Sequence, residues 1–151
     1  MDDFDLKILA HLQADGAMSM AKLSEEIGLS LSACHRRVKL LEAAGVIDGY
    51  AARLDRRSLG LRFQAFVEIK LVSQRPDDIE AFEKAVRRTP EILECHLISG
   101  DFDYLVRVAT SDTEAYEALY RRVLSQLPSA SQVKTMLSLG SVKEFTGYHV
   151  R

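Results

Sequence analysis

The stretch Ile92–Thr110, ILECHLISGDFDYLVRVAT, decides how this chain folds. Its two flanks are rich in Ile, Leu, Val and Tyr, and Gly100–Asp103 between them reads as the connection of a β-hairpin. Two carboxylates, Asp101 and Asp103, stand on either side of Phe102 in that connection. Turn chemistry accounts for them in part: an Asp side chain accepts hydrogen bonds from nearby backbone N–H groups, and Gly100 supplies a positive φ. Asn-Gly would serve a turn as well, so why the turn carries two carboxylates must be settled by the rest of the chain.

Working outward, each flank extends into a strand–helix unit. Before the hairpin, FQAFVEIKLV alternates as a half-buried strand. It leads into PDDIEAFEKAVRR, a helix with Ile79, Phe82 and Val86 inward and Pro76 near its first turn, where a missing N–H costs little. After the hairpin, SDTEAYEALYRRVLSQL is a helix capped at Ser111 or Asp112, and QVKTMLSLG a last strand. The order β-α-β-β-α-β is ferredoxin-like.

Residues 3–49 have helical spacing instead. Phe4, Ile8, Leu9 and Leu12 form one stripe behind Asp2 or Asp3 as cap, with Gly16 as a stop. Met20, Leu23 and Ile27 form a second behind Ser19, ended by Gly28. Cys34, Val38 and Leu41 form a third behind Ser30 or Ser32, ended by Gly45. Three helices with so short a join at Gly28–Ser30 have the arithmetic of a helix-turn-helix, and VIDGYAARL follows as a short extended piece. The fold class is therefore α+β, with a winged helix-turn-helix domain over 1–49, a connector over 50–61, and a ferredoxin-like domain over 62–151.

Composition narrows the chemistry. With 151 residues, 47% of them hydrophobic, the chain can bury a real core. No apolar run approaches the ~20 residues of a membrane span, and the acidic opening MDDFDLKILAHLQ is unlike a secretory signal. Cys34 and Cys95 lie far apart without CxxC spacing, which points to a reducing, cytoplasmic setting with no disulfide framework. The net charge is −2, and residues 1–55 are the more acidic part, with 6 Lys or Arg against 9 Asp or Glu. Nucleic-acid binding must therefore rest on local clustering. The third helix supplies it: from Ser30 to Leu41 there is no acid. Ser30 and Ser32 can meet phosphate, while His35, Arg36, Arg37 and Lys39 can meet base edges or phosphate. With so few cations, one domain binds weakly, so a dimer or larger assembly on double-stranded DNA is expected.

Other chemistries fare worse. Cys34-His35 and Cys95-His96 are adjacent pairs whose side chains diverge, so no metal is expected. There is no phosphate-cradling glycine loop and no nucleophile elbow, and no cofactor is expected. The rival reading is an amino-acid-binding enzyme or sensor on a ferredoxin-like fold without DNA binding, with Asp101 and Asp103 as acid and base. Side chains two apart on a turn diverge, however, and no nucleophile or metal ligand accompanies them.

Several segments together resemble the Lrp/AsnC, or feast/famine, family of transcription regulators over essentially the whole chain: FDLKILAHLQ at Phe4–Gln13, LSEEIGLS, RVKLLEAAGVIDGY and above all ECHLISGDFDYLVRV. The resemblance implies a DNA-binding helix-turn-helix and a C-terminal module that pairs through its sheets into dimers, which assemble further into octamers. It implies too that a free amino acid, commonly branched or hydrophobic, binds between dimers, at the Gly-Asp-Phe-Asp-Tyr hairpin and the last strand of a neighbouring subunit. Asp101 or Asp103 would take the ammonium, and turn N–H groups near Gly100 the carboxylate. Tyr104, Thr135, Met136, Leu137 and Ser138 would shape the side-chain pocket. The third helix departs from the family's frequent Ser-Pro-Thr-Pro opening: Ser30-Leu-Ser-Ala33 keeps the hydroxyls and loses the prolines.

Overall fold

Three polar side chains start the first three helices. The computed structural model describes residues 1–150, and it divides into two compact units: Met1–Arg53 together with the segment from Lys143, and Leu54–Val142. In the first, α1 (Asp3–Ala14) opens on a reciprocal capping box, in which Asp2 accepts from the Asp5 N–H at 3.0 Å and Asp5 from the Asp2 N–H at 3.1 Å. Ser19 caps α2 (Met20–Ile27), which ends at Gly28 with φ 72°. Ser30 caps α3 (Leu31–Ala43) by accepting from the Ala33 N–H. Ile8, Leu12, Leu23, Ile27, Cys34, Val38 and Leu41 close over one another as the core, so the three stripes face inward except at Phe4, which is exposed. Val46–Leu61 carries no strand.

A brace ties α3 to the start of α1. The Arg37 guanidinium donates to Asp5 Oδ1 at 2.8 Å and to Asp2 Oδ1 at 3.0 Å, and lies 5.5 Å from the Phe4 ring centre. The Asp5 N–H, with Arg37 adding to it, holds the Asp2 carboxyl below the usual carboxylate range.

Sequence spacing extends the second domain to residue 151, yet the segment from Lys143 packs with the first unit. There the Gln13 amide acts as a rung of ladder: its Nε2 donates to the Tyr148 carbonyl at 2.6 Å, and its Oε1 accepts from the Tyr148 N–H at 2.7 Å. Phe145 meets Tyr148 edge-on at 5.1 Å. Gly147 sits at φ +136°, where a Cβ would stand 2.3 Å from Gln13 Cδ. Only glycine fits there.

In the second unit β1 (Phe63–Leu71), α4 (Pro76–Arg87), β2 (Ile92–Leu97), β3 (Tyr104–Thr110), α5 (Thr113–Arg122) and β4 (Ala130–Leu137) follow the expected order. The antiparallel sheet runs β2-β3-β1-β4. Ala65, Val67 and Ile69 of β1 join Tyr104, Val106 and Val108 of β3 on one face, under Phe82 of α4 and Leu119 of α5. The other face carries half-buried Phe66, Leu105 and Met136 among the ion pairs Lys134–Glu68 and Arg107–Glu94, and no helix packs there.

Two outcomes follow from the first unit. A carboxylate with a depressed folded pKa stabilises above its unfolded value of ~3.9 and stops doing so as pH falls through the folded value. Asp2→Asn keeps the cap oxygen but cannot titrate, so the parent should melt higher than the variant at neutral pH. The gap should close in acid, and a gap constant with pH in thermal scans would remove the charge from the brace. Separately, Gly147→Val should undock the tail and speed exchange of the Tyr148 amide hydrogen at least about tenfold, with α1–α3 still folded. Unchanged exchange would show that Gln13 does not hold it.

Candidate functional site

Helical spacing decides which side of α3 is available. With Cys34, Val38 and Leu41 in the core, the opposite stripe runs Ser32, His35, Arg36, Lys39 and Leu40, all exposed. Ser30 is engaged as the cap, and its hydroxyl lies 3.3 Å from that of Ser32. Lys39 donates to Glu42 at 2.7 Å, an exposed pair that competing anions can open. His35 and Arg36 have no ionic partner among the described residues. Arg37, expected to face a nucleic acid, instead lies beside the stripe, bound to Asp2 and Asp5. The sequence could not disclose this, because the partners lie 32 and 35 residues away.

The hairpin separates its two carboxylates by role. Asp103 is built into the turn: one oxygen accepts from the Leu71 N–H at 2.8 Å and the other from the Gln74 amide at 2.9 Å. Its backbone bonds Ile69 and Ile98 as well, closing the connection between β2 and β3. Asp101 is exposed, with no hydrogen-bond partner among the described residues, next to Gly100 at φ +129°. Beside the turn lies a cleft of about 410 Å³, walled by Leu71, Ile79, Leu97 and Ile98 with Gln74, Ser99 and Asp103 on its rim. An apolar cleft with a few convergent polar groups is what a small-molecule site requires.

Tyr104 lines that cleft from within the core. It is buried, stacks on Phe82 at 4.5 Å and donates to Glu83 at 3.0 Å. Burial, with the Glu83 bond added, pushes its hydroxyl up to about 12. Its parity with Val106 and Val108 was a signal for the core. Thr135 bonds the Tyr116 hydroxyl on the helix side, and Leu137 shares that side. Met136 faces the open side, and the Ser138 N–H donates to Gln64.

These β4 residues and the turn do not meet within one chain. Thr135–Leu137 pair with Val67–Ala65 toward one end of β1, whereas Tyr104 pairs with Ile69 at the other. Of β4, Lys134 reaches the turn, its ammonium 5.5 Å from the Phe102 ring. Phe102, Leu71 and Gln74 are the site residues that sequence reasoning missed. The first stands between the two carboxylates and could have been named; the others lie about 30 residues away. No group of three His, Cys, Asp or Glu side chains able to hold a metal occurs among the described residues. Nor is any helix long and apolar enough to cross a membrane.

Comparison with known proteins places this geometry. Residues 64–148 match the model of the Lrp/AsnC ligand binding domain, and residues 1–48 that of a winged helix-turn-helix DNA-binding domain. The chain is 44% identical to the proline dehydrogenase transcriptional activator of Rhizobium radiobacter, over 95% of this chain and 92% of that protein. It is 42% identical to the leucine-responsive regulatory protein of Escherichia coli K12, over 95% and 88%. A transcriptional regulator from Neisseria meningitidis, solved as a complex with L-methionine, superposes with a TM-score of 0.93 at 34% identity, over 99% of this chain and 96% of that one. An AsnC family transcriptional regulator from Agrobacterium tumefaciens gives the same TM-score and identity, over 99% and 97%. These relatives are transcription regulators, not enzymes. A helix-turn-helix with one exposed cationic stripe and a ferredoxin-like module with a ligand-sized cleft thus have one common description: the chain belongs to the Lrp/AsnC family of transcription regulators.

Proposed function

We propose that the protein is a cytoplasmic regulator that reads double-stranded DNA with the Ser32–Leu40 stripe of α3 and answers to a hydrophobic α-amino acid held at the Gly100–Asp103 turn. The observation that carries the second half is the contrast between the two carboxylates. Asp103 shapes the turn and lines the apolar cleft, while Asp101, two residues before it in the same turn, keeps an exposed carboxylate with no hydrogen-bond partner among the described residues. That carboxylate suits an ammonium, and the turn's backbone N–H groups suit the ligand's own carboxylate. Leu71, Ile79, Leu97 and Ile98 suit an aliphatic or thioether side chain. The leucine-responsive and L-methionine-bound relatives favour the same ligand class.

On the DNA side, Arg36 and His35 are the base-edge candidates, Lys39 and Ser32 the phosphate candidates, and Arg37 the residue that fixes the helix. Assembly follows from what one chain leaves open. A sheet face bearing Phe66, Leu105 and Met136 without a helix over it is suited to pairing with its copy in a dimer. Thr135–Ser138 lie away from the turn of their own chain and so would complete a pocket only on a neighbour's, as in an octamer.

Asp101→Asn should leave melting temperature and DNA binding unchanged while weakening L-leucine or L-methionine by about 1.5–3 kcal/mol, the range for a hydrogen bond to a charged group. Asp103→Asn should lower stability first, because it alters the junction with Leu71 and Gln74. Calorimetry and thermal scans on both variants separate the roles. If Asp101→Asn binds the amino acid like the parent, the ammonium is held elsewhere. Light scattering at micromolar concentration should return at least twice the chain mass; a monomer would sink the paired-sheet assembly.

A further inference from the structure

Duplex DNA carries about one negative charge per 1.7 Å, and most of a protein's affinity for it comes from the cations that neutralise phosphates. Residues 1–49 are badly suited to that task, since five Lys or Arg stand against eight Asp or Glu, a net charge of −3. The structure makes the deficit worse: Arg37 is bound to Asp2 and Asp5, and Lys39 to Glu42.

The very next stretch of chain reverses the balance. Tyr50–Arg62, YAARLDRRSLGLR, holds four arginines and one carboxylate, a net charge of +3. Its one acid does not neutralise them. Asp55 forms no ion pair within 4 Å; it accepts from the Ser58 N–H at 2.6 Å and so caps a compact turn. That turn is closed by the Gly60 N–H on the Arg57 carbonyl at 2.9 Å and the Leu61 N–H on the Arg56 carbonyl at 3.0 Å. Gly60, at φ +79°, makes the reversal that a side chain would strain. Arg56 turns back onto the Leu61 carbonyl and holds the turn from within. Arg53, Arg57 and Arg62 are exposed and have no carboxylate partner among the described residues. All are arginine and none lysine, and the guanidinium fork matches phosphate oxygens two at a time.

We propose that this connector and the residue that follows it form a phosphate-binding arm next in sequence to the helix-turn-helix: Arg53, Arg57 and Arg62 contact the sugar–phosphate backbone of duplex DNA and supply the charge that the helix-turn-helix lacks. The proposal rests on the reading of the chain as a DNA-binding regulator and adds to it a second contact region. Such an arm carries affinity and no base preference. The division of labour is then clear: α3 selects, and the connector holds.

The test is fluorescence anisotropy of the full-length protein on a mixed-sequence duplex of about 40 base pairs, across KCl from about 25 to 200 mM. In the variant Arg53→Gln/Arg57→Gln/Arg62→Gln, the slope of log K against log salt should shrink by about 2–3 per bound chain, at about 0.9 for each phosphate left without its guanidinium. Arg57→Gln alone should remove about 0.9. Melting temperature, solution mass and amino-acid binding should match the parent, which excludes a folding defect as the cause. A parent-like slope in the folded triple variant overturns the arm and leaves the regulator reading intact. A parent that binds no duplex even at the lowest salt overturns both.

Discussion

A sheet strand turns successive side chains to opposite faces, and the second unit uses only one of them. Ala65, Val67, Ile69 and Leu71 fill one side of β1, Tyr104, Val106 and Val108 one side of β3, and both helices pack there. Every property of the effector module follows from this parity. It makes Tyr104 a core residue whatever the neighbouring turn does. It alternates Thr135, Met136 and Leu137 between helix side and open side, so that no single cavity of one chain can use them all. It leaves an open face on which half-buried Phe66, Leu105 and Met136 stand among the ion pairs Lys134–Glu68 and Arg107–Glu94.

The first unit meets a different constraint, which is electrostatic. Two of its acids help the fold directly: Asp2 and Asp5 serve the N-terminus of α1, where negative charge is favourable, and then bind the arginine of another helix. An acidic DNA-binding domain is thus a coherent object. The carboxylates stabilise helix ends and helix packing, and the exposed stripe of α3 is left free of acid from Ser32 to Leu40. Bulk charge is a poor guide to such a protein, because one exposed stripe can carry a sign opposite to that of the domain as a whole.

How legible all this was depends on how far apart the interacting residues stand. Helix starts at Asp2, Ser19 and Ser30, and the βαββαβ order, are written in periods and caps that extend over a few residues, and the fold class could be read from them; the family rested on the resemblance of whole segments such as ECHLISGDFDYLVRV. Side-chain roles depended on partners at a distance. The engagement of Arg37 needs Asp2 and Asp5, the structural role of Asp103 needs Leu71 and Gln74, and the tail needs Gln13; none of these has a local signature. Tyr104 is the exception, since its alternation with Val106 and Val108 marks it as a core residue, and from the core it also lines the cleft.

The rung between Gln13 and Tyr148 has a consequence for how the protein comes into being. Its two ends are separated by 135 residues. On a ribosome adding about 5–20 residues per second, the helix waits roughly 7–27 s for the backbone partner of its glutamine. During that interval α1–α3 can close their own core, but Gln13 and the apolar surface around Leu9 and Ile47 face solvent. The whole effector module is made meanwhile. The nascent chain therefore acquires its DNA-binding unit in two instalments, and the second arrives only after the domain that senses the ligand has been synthesised.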